Sequence, residues 1–98
     1  MSTDASAKRS NWTFLTNHAH VLLCLAKSSS MRIRDLAAEV GITERAVQRI
    51  IAELIDEGYV IRLKEGRRNI YQLQTKKPLK HPVEAHKNIK DLVQLIFE

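Results

Sequence analysis

The stretch between Ile33 and Ile50 constrains the fold more than any other part of the chain. Leu36, Ala37 and Val40 fall on one face of a short helix predicted over residues 34–40. Gly41 follows where a helix end takes a left-handed residue, and Thr43 stands as the N-cap of a longer helix reaching about residue 57. With only Gly41 and Ile42 between them, the two helices must turn sharply and bury a common face. That face is Leu36, Ala37, Val40, Ile42, Val47 and Ile50. Ala37 is small enough to let the helices approach, and Ile42 fills the gap beneath the turn. Gly58 ends the second helix as Gly41 ends the first.

The exposed side of the longer helix then follows from its pitch. With Arg45 at zero, Arg49 lies at about +40°, Ala52 at about −20° and Gln48 at about −60°. Val47, Ile50, Ile51 and Leu54 gather on the opposite side. Arg45, Gln48 and Arg49 therefore share one outward surface, with Thr43 and Glu44 at its N-terminal end. Glu53, Asp56 and Glu57 occupy the last turns, where carboxylates oppose the helix dipole. The helix is polarised, basic and amide-bearing first and acidic last. An arginine fork matches guanine O6 and N7, and a glutamine amide matches adenine, so such a face suits base edges in a major groove.

Around this pair the remaining elements are simple. Residues 1–10 are polar, without apolar period, and are expected to be a flexible tail. Asn11 or Ser10 caps a first helix whose stripe begins at Trp12 and runs through Phe14, Leu15, His18, Val21, Leu22 and Leu25 to the serines at 28–30. Met31 to Ile33 is read as a brief edge strand. Residues 59–64 and 68–73 are rich in β-branched and alternating positions about a Glu65-Gly66-Arg67 turn, which predicts a hairpin with a basic tip. A basic linker between Pro78 and Pro82 leads to a last helix, predicted from Pro82 to about Phe97, with Val83, His86, Ile89, Leu92, Val93 and Ile96 on one stripe.

Composition narrows the function. Ninety-eight residues make one domain. The formal net charge is +5, but residues 31–73 carry eight basic and seven acidic side chains, so position matters more than total. A lone Cys24 excludes an internal disulfide and any multi-cysteine zinc site. No apolar run approaches the ~18 residues of a membrane span, and the N-terminus has no signal-peptide core, so a soluble cytoplasmic protein without membrane contact is expected. There is no Gly-rich phosphate loop, no nucleophile with a local base and no carboxylate pair on a concave element, so an enzyme is not expected.

The order helix, short strand, helix, turn, helix and basic hairpin resembles the winged helix-turn-helix of bacterial regulators of the MarR and ArsR families. The resemblance is carried by residues 34–43, by Arg45-Ala46-Val47 through Leu54, by Gly58-Tyr59-Val60, and by Gly66-Arg67-Arg68-Asn69-Ile70-Tyr71. It implies an α+β, mainly α fold with a two-stranded wing and a C-terminal helix. It also implies sequence-specific binding of double-stranded DNA by a homodimer. The recognition helix would be residues 43–57, with Thr43, Glu44, Arg45, Gln48 and Arg49 at the DNA, and the wing would add Lys64, Arg67 and Arg68. The division expected is a tail (1–10), a DNA-binding domain (11–75), and a linker with C-terminal helix (76–98). Val83, Ile89, Leu92, Val93 and Ile96 of that last helix must be covered, either by the chain's own first helix or, the reading preferred here, by a second copy across a two-fold axis.

The histidines do not suggest a metal. His81 falls outside the helix that Pro82 starts, His86 points about 140° away from it, and no cysteine is near. His18 is expected as a packed or capped core residue and Cys24 as a buried, inert thiol. Trp12 and Phe14 can pack on the last helix or on a second subunit. No cofactor is implied, and the sequence names no effector. The competing function is a winged helix that binds protein rather than duplex, for which the charged Arg45–Gln48–Arg49 face is the counter-argument.

Overall fold

The computed structural model describes residues 11–98; the tail expected at residues 1–10 lies outside them. Four helices and one hairpin follow in the order α1 (Asn17–Lys27), α2 (Ile33–Val40), α3 (Glu44–Asp56), β1 (Val60–Glu65), β2 (Arg68–Leu73) and α4 (Ile89–Phe97). This is the expected mainly α, α+β arrangement, a helix-turn-helix with a two-stranded wing and a C-terminal helix.

The turn between α2 and α3 is built as its residues require. Gly41 takes φ 85°, and its N–H and that of Ile42 both donate to the Ala37 carbonyl, at 2.8 and 3.1 Å. Thr43 is extended, and its side-chain oxygen accepts the Ala46 N–H at 3.0 Å, closing the first turn of α3. Behind this turn Leu36, Ala37, Val47, Ile50, Ile51 and Leu54 are buried together, joined by Val21, Leu22 and Leu25 of α1. The hairpin closes the core with Val60 and Tyr71. Its antiparallel register pairs Val60 with Leu73, Arg62 with Tyr71 and Lys64 with Asn69 on the core-facing side. Ile61, Leu63 and Glu65 alternate to the outer side.

Four expectations are corrected. The first helix starts at Asn17, not near Trp12, because Thr16 takes the cap and accepts the Ala19 N–H at 3.1 Å. Trp12 and Phe14 thus precede it, pack edge to face at 5.0 Å, and stay 65% and 91% exposed. Met31 to Ile33 is not a strand. Among the described residues no backbone bond joins residues 31–33 to the hairpin; the nearest is Tyr71 N–H to the Ser29 carbonyl, and Ile33 already begins α2. Strand β1 begins at Val60 rather than Tyr59, whose N–H is held by Leu54 at the end of α3.

The largest departure is the last helix, which begins at Ile89 and not at Pro82. Asn88 accepts the Asp91 N–H and the Asp91 carboxylate accepts the Asn88 N–H, a capping box that fixes the start. Upstream the chain doubles back, with Leu79 N–H bonded to the Lys87 carbonyl and Ile89 N–H to that of Lys77. Residues 81–87 are consecutive turns. Val83 is therefore off the helix and 76% exposed, and Ile89 is 3% exposed inside the chain's own core.

Adding a Cβ at Gly41 meets nothing within 4 Å, so a substitution there strains the backbone without a steric clash. Gly41→Ala is expected to lower unfolding free energy by about 1–2 kcal/mol, and Gly41→Asn by less, because asparagine tolerates the left-handed region. Urea denaturation of the two variants checks this; equal losses would contradict it.

Candidate nucleic-acid interface

The back of α3 is anchored, so its front is fixed in space. Val47, Ile50, Ile51 and Leu54 hold the helix to the core, and Arg45, Gln48 and Arg49 stand exposed on the opposite side, as the pitch predicts. The structure brings these three together on one surface. Glu44 is exposed in the first turn, and Thr43 uses its oxygen lone pair as the cap, leaving its hydroxyl proton to donate outward.

The three α3 side chains are not equally free. The Arg49 guanidinium Nη1 lies 3.6 Å from Glu53 Oε1, one turn on, and the same oxygen is 2.6 Å from His18 Nε2 on α1. Glu53 is thus shared between an arginine of the exposed face and a histidine of the neighbouring helix. The His18 hydrogen bond, and beyond it the Arg49 charge, hold the Glu53 carboxyl below the ordinary carboxylate range. His18 is half exposed and bonded to a carboxylate, which corrects its reading as a core histidine. Arg45 and Gln48 make no such contact among the described residues.

On the hairpin, Lys64 and Arg62 share the face of Tyr71, and Arg67 sits in the tip turn beside Gly66. Arg68 is different. Its Nη2 donates to the Ser30 carbonyl, so one side of its fork braces the wing against the loop after α1. Lys64 and Arg67 are exposed at the hairpin's far end. The residues expected at a partner surface are also distributed: Leu92 and Val93 are half-buried, Ile96 is exposed, and Leu95 and Phe97, which the stripe did not include, are exposed beside it.

Several contacts join positions that no local sequence rule connects. The His18–Glu53 bond joins positions 35 residues apart. The Arg49–Glu53 pair has a helical spacing of four, which the sequence does carry. Lys80 Nζ reaches Glu57 Oε1 at 2.6 Å, and the Tyr59 hydroxyl donates to the Pro78 carbonyl at 2.7 Å, tying residues 78–80 to the end of α3. Cys24 is half-buried rather than enclosed, and burial raises its thiol pKa. Among the described residues no group of three or more His, Cys, Asp and Glu side chains is placed to hold a metal ion, and no helix is long and apolar enough to cross a membrane.

Residues 16–61 match a family model described as winged helix-turn-helix DNA-binding. No curated protein matches the chain. Among solved structures it is similar to the zinc-dependent MarR family transcriptional regulator AdcR in its Zn(II)-bound state, with 28% identity and a TM-score of 0.49. That match covers 66% of this chain and 47% of AdcR, so the chain spans about half the length of that regulator.

The lowered Glu53 pKa has a testable sign. A carboxylate whose folded pKa is depressed contributes stability above its unfolded value, near 4.3, and loses it as pH falls through the folded value. The melting temperature of the native chain should therefore fall more steeply below about pH 4.3 than that of Glu53→Gln, by a small margin because the group is exposed. Parallel slopes in thermal melts would show the pairing is not formed in solution.

Proposed function

We propose that the chain, whose residues 16–61 match a winged helix-turn-helix DNA-binding family model, binds double-stranded DNA sequence-specifically as a homodimeric transcriptional regulator in the cytoplasm. The observation that carries this reading is the exposed Arg45–Gln48–Arg49 surface on the N-terminal half of α3, held outward by four buried residues on its other side. The N-terminal residues of such a helix are the ones that reach base edges. Arg45 and Arg49 offer forks to guanine, Gln48 offers an amide to adenine, and Glu44 accepts from a cytosine amine. Thr43 donates its hydroxyl to a phosphate.

Lys64 and Arg67 at the far end of the hairpin serve the backbone or the minor groove. Arg68 contributes chiefly by holding the wing in place through Ser30. The dimer is supported by the apolar end of α4, where Leu92, Val93 and Ile96 are joined by Leu95 and Phe97 and remain at least partly exposed. Neither Ile89, committed to the core, nor Val83, in the preceding turn, belongs to that surface. A two-fold axis through α4 would set two copies of α3 about 34 Å apart, one turn of DNA. The alternative, a protein-binding winged helix, draws on the exposed Ile61 and Leu63 of the outer hairpin face.

Selection from a pool of random duplexes at two salt concentrations tests the proposal. An enriched palindrome with half-sites one turn apart is the expected result; no binding at either salt would favour the protein-binding reading. On the enriched site, Arg45→Ala and Arg49→Ala should each lose about 1–3 kcal/mol and relax one base position. Arg67→Ala should weaken all sequences alike. A loss from Arg45→Ala that is equal on enriched and random duplexes would contradict base reading.

A further inference from the structure

The hairpin has two long edges, and they differ. On the outer edge of β2 the Tyr71 N–H donates to the Ser29 carbonyl at 2.9 Å, and the Arg68 guanidinium donates to that of Ser30. The loop after α1 thus covers part of that edge. The sheet has two strands among the described residues, so no strand pairs with β1 on its other side. The register says which groups are left open. Gln74 N–H donates to the Tyr59 carbonyl at 2.9 Å, which makes Tyr59 and Gln74 a hydrogen-bonded pair. By alternation Ile61 with Gln72, and Leu63 with Ile70, are hydrogen-bonded pairs too. The backbone N–H and C=O groups of Arg62 and Lys64 therefore point away from β2. No backbone group of another element among the described residues meets them.

The side chains along this edge alternate in kind as well as in direction. Ile61 and Leu63 stand on the outer face, 42% and 47% exposed. Arg62 and Lys64 stand exposed on the other face and take no part in the ion pairs of the described residues. An open edge of this kind is a template for another strand. We infer that β1 takes an extended segment of a partner protein as a third, antiparallel strand, one in which apolar residues alternate with Asp or Glu. Arg62 and Lys64 exchange main-chain bonds with the two acidic residues opposite them, which also face their charges. Between these, Leu63 meets an apolar residue in a close, non-hydrogen-bonded pair, and Ile61 meets the next one. A second copy of β1 does not fit the same edge. With Leu63 opposite its own counterpart, Arg62 falls opposite Lys64 twice, and in the neighbouring registers Arg62 or Lys64 faces itself. The edge is separate from the Arg45–Gln48–Arg49 face, so the inference does not rest on the DNA reading.

The probe is the capped peptide Thr-Glu-Val-Glu-Val-Glu-Thr, titrated without DNA. Its controls are an analogue with lysine for glutamate, one N-methylated at the glutamate amides and one N-methylated at the valine amides. Saturable binding of the acidic peptide at one site per chain is expected, about tenfold tighter than the lysine analogue. Methylating the glutamate amides, which face β1, should abolish binding, whereas methylating the valine amides, which face away, should be tolerated. Hydrogen exchange reads the edge directly: the Arg62 and Lys64 amides should slow when the peptide binds, and those of Ile61 and Leu63 should be slow in both states. Arg62→Glu combined with Lys64→Glu, both exposed, should reverse the preference to the lysine analogue with the fold intact by circular dichroism. Absence of saturable binding would overturn the inference, and so would binding indifferent to methylation of the glutamate amides, which is charge attraction without a strand. Slow Arg62 and Lys64 amides in the free chain that quicken on dilution would also overturn it, by giving the edge to a second copy.

Discussion

Everything in this molecule depends on the close crossing of α2 and α3 at the Gly41 turn. Ala37, Val47 and Ile50 lie in one buried cluster there, and both turn N–H groups reach back to the Ala37 carbonyl. The crossing fixes the direction of α3, and the direction decides which residues are buried and which face outward. If α3 rolled by one residue, about 100°, Arg45, Gln48 and Arg49 would swing toward the core and an isoleucine would take their place. The exposed basic face is thus a consequence of apolar packing, and its orientation is only as firm as the buried side of the same helix.

That dependence explains what could be read from the sequence. The α2–α3 turn and the hairpin were legible because each rests on local rules: a left-handed glycine, a Thr cap, alternation about a Gly turn. Apolar spacing alone starts α1 too early, because it ignores capping. Trp12, Phe14 and Leu15 continue the helical period, yet Thr16 has the side chain that can close the first turn, and the helix starts behind it. The last helix was misplaced for the same reason. Pro82 is an acceptable first-turn residue and Val83 and His86 keep the stripe, but Asn88 and Asp91 form a reciprocal cap that begins the helix at Ile89. In both cases two rules competed, and the one that satisfies orphan N–H groups prevailed over the one that counts apolar residues.

Of the candidate interface, the α3 face was legible and its electrical state was not. Helical pitch places Arg45, Gln48 and Arg49 together, but nothing local says that Glu53 will be gripped from α1 by His18. Arg68 shows the converse. Its place in a basic tip suggests a phosphate contact, whereas tertiary packing turns part of its fork onto the Ser30 carbonyl. Contacts between positions 35 or 38 residues apart arise only once the core has set the helices side by side.

The sharing of Glu53 bears on how such a domain discriminates between sequences. Residues 31–73 are close to neutral, so attraction to phosphate in general is weak and cannot by itself hold the domain on DNA. An arginine leaning on a carboxylate of its own helix adds to that restraint, because it must exchange one partner for another to read a base. If Arg49 reads a base as proposed, on a mismatched site the exchange returns nothing and Arg49 stays with Glu53, whereas on a matching site a bidentate bond to guanine would outweigh an exposed ion pair worth at most about 1 kcal/mol. On that reading the pair lowers the affinity of the matching site by the energy of an exposed ion pair and leaves a site that Arg49 does not read unchanged.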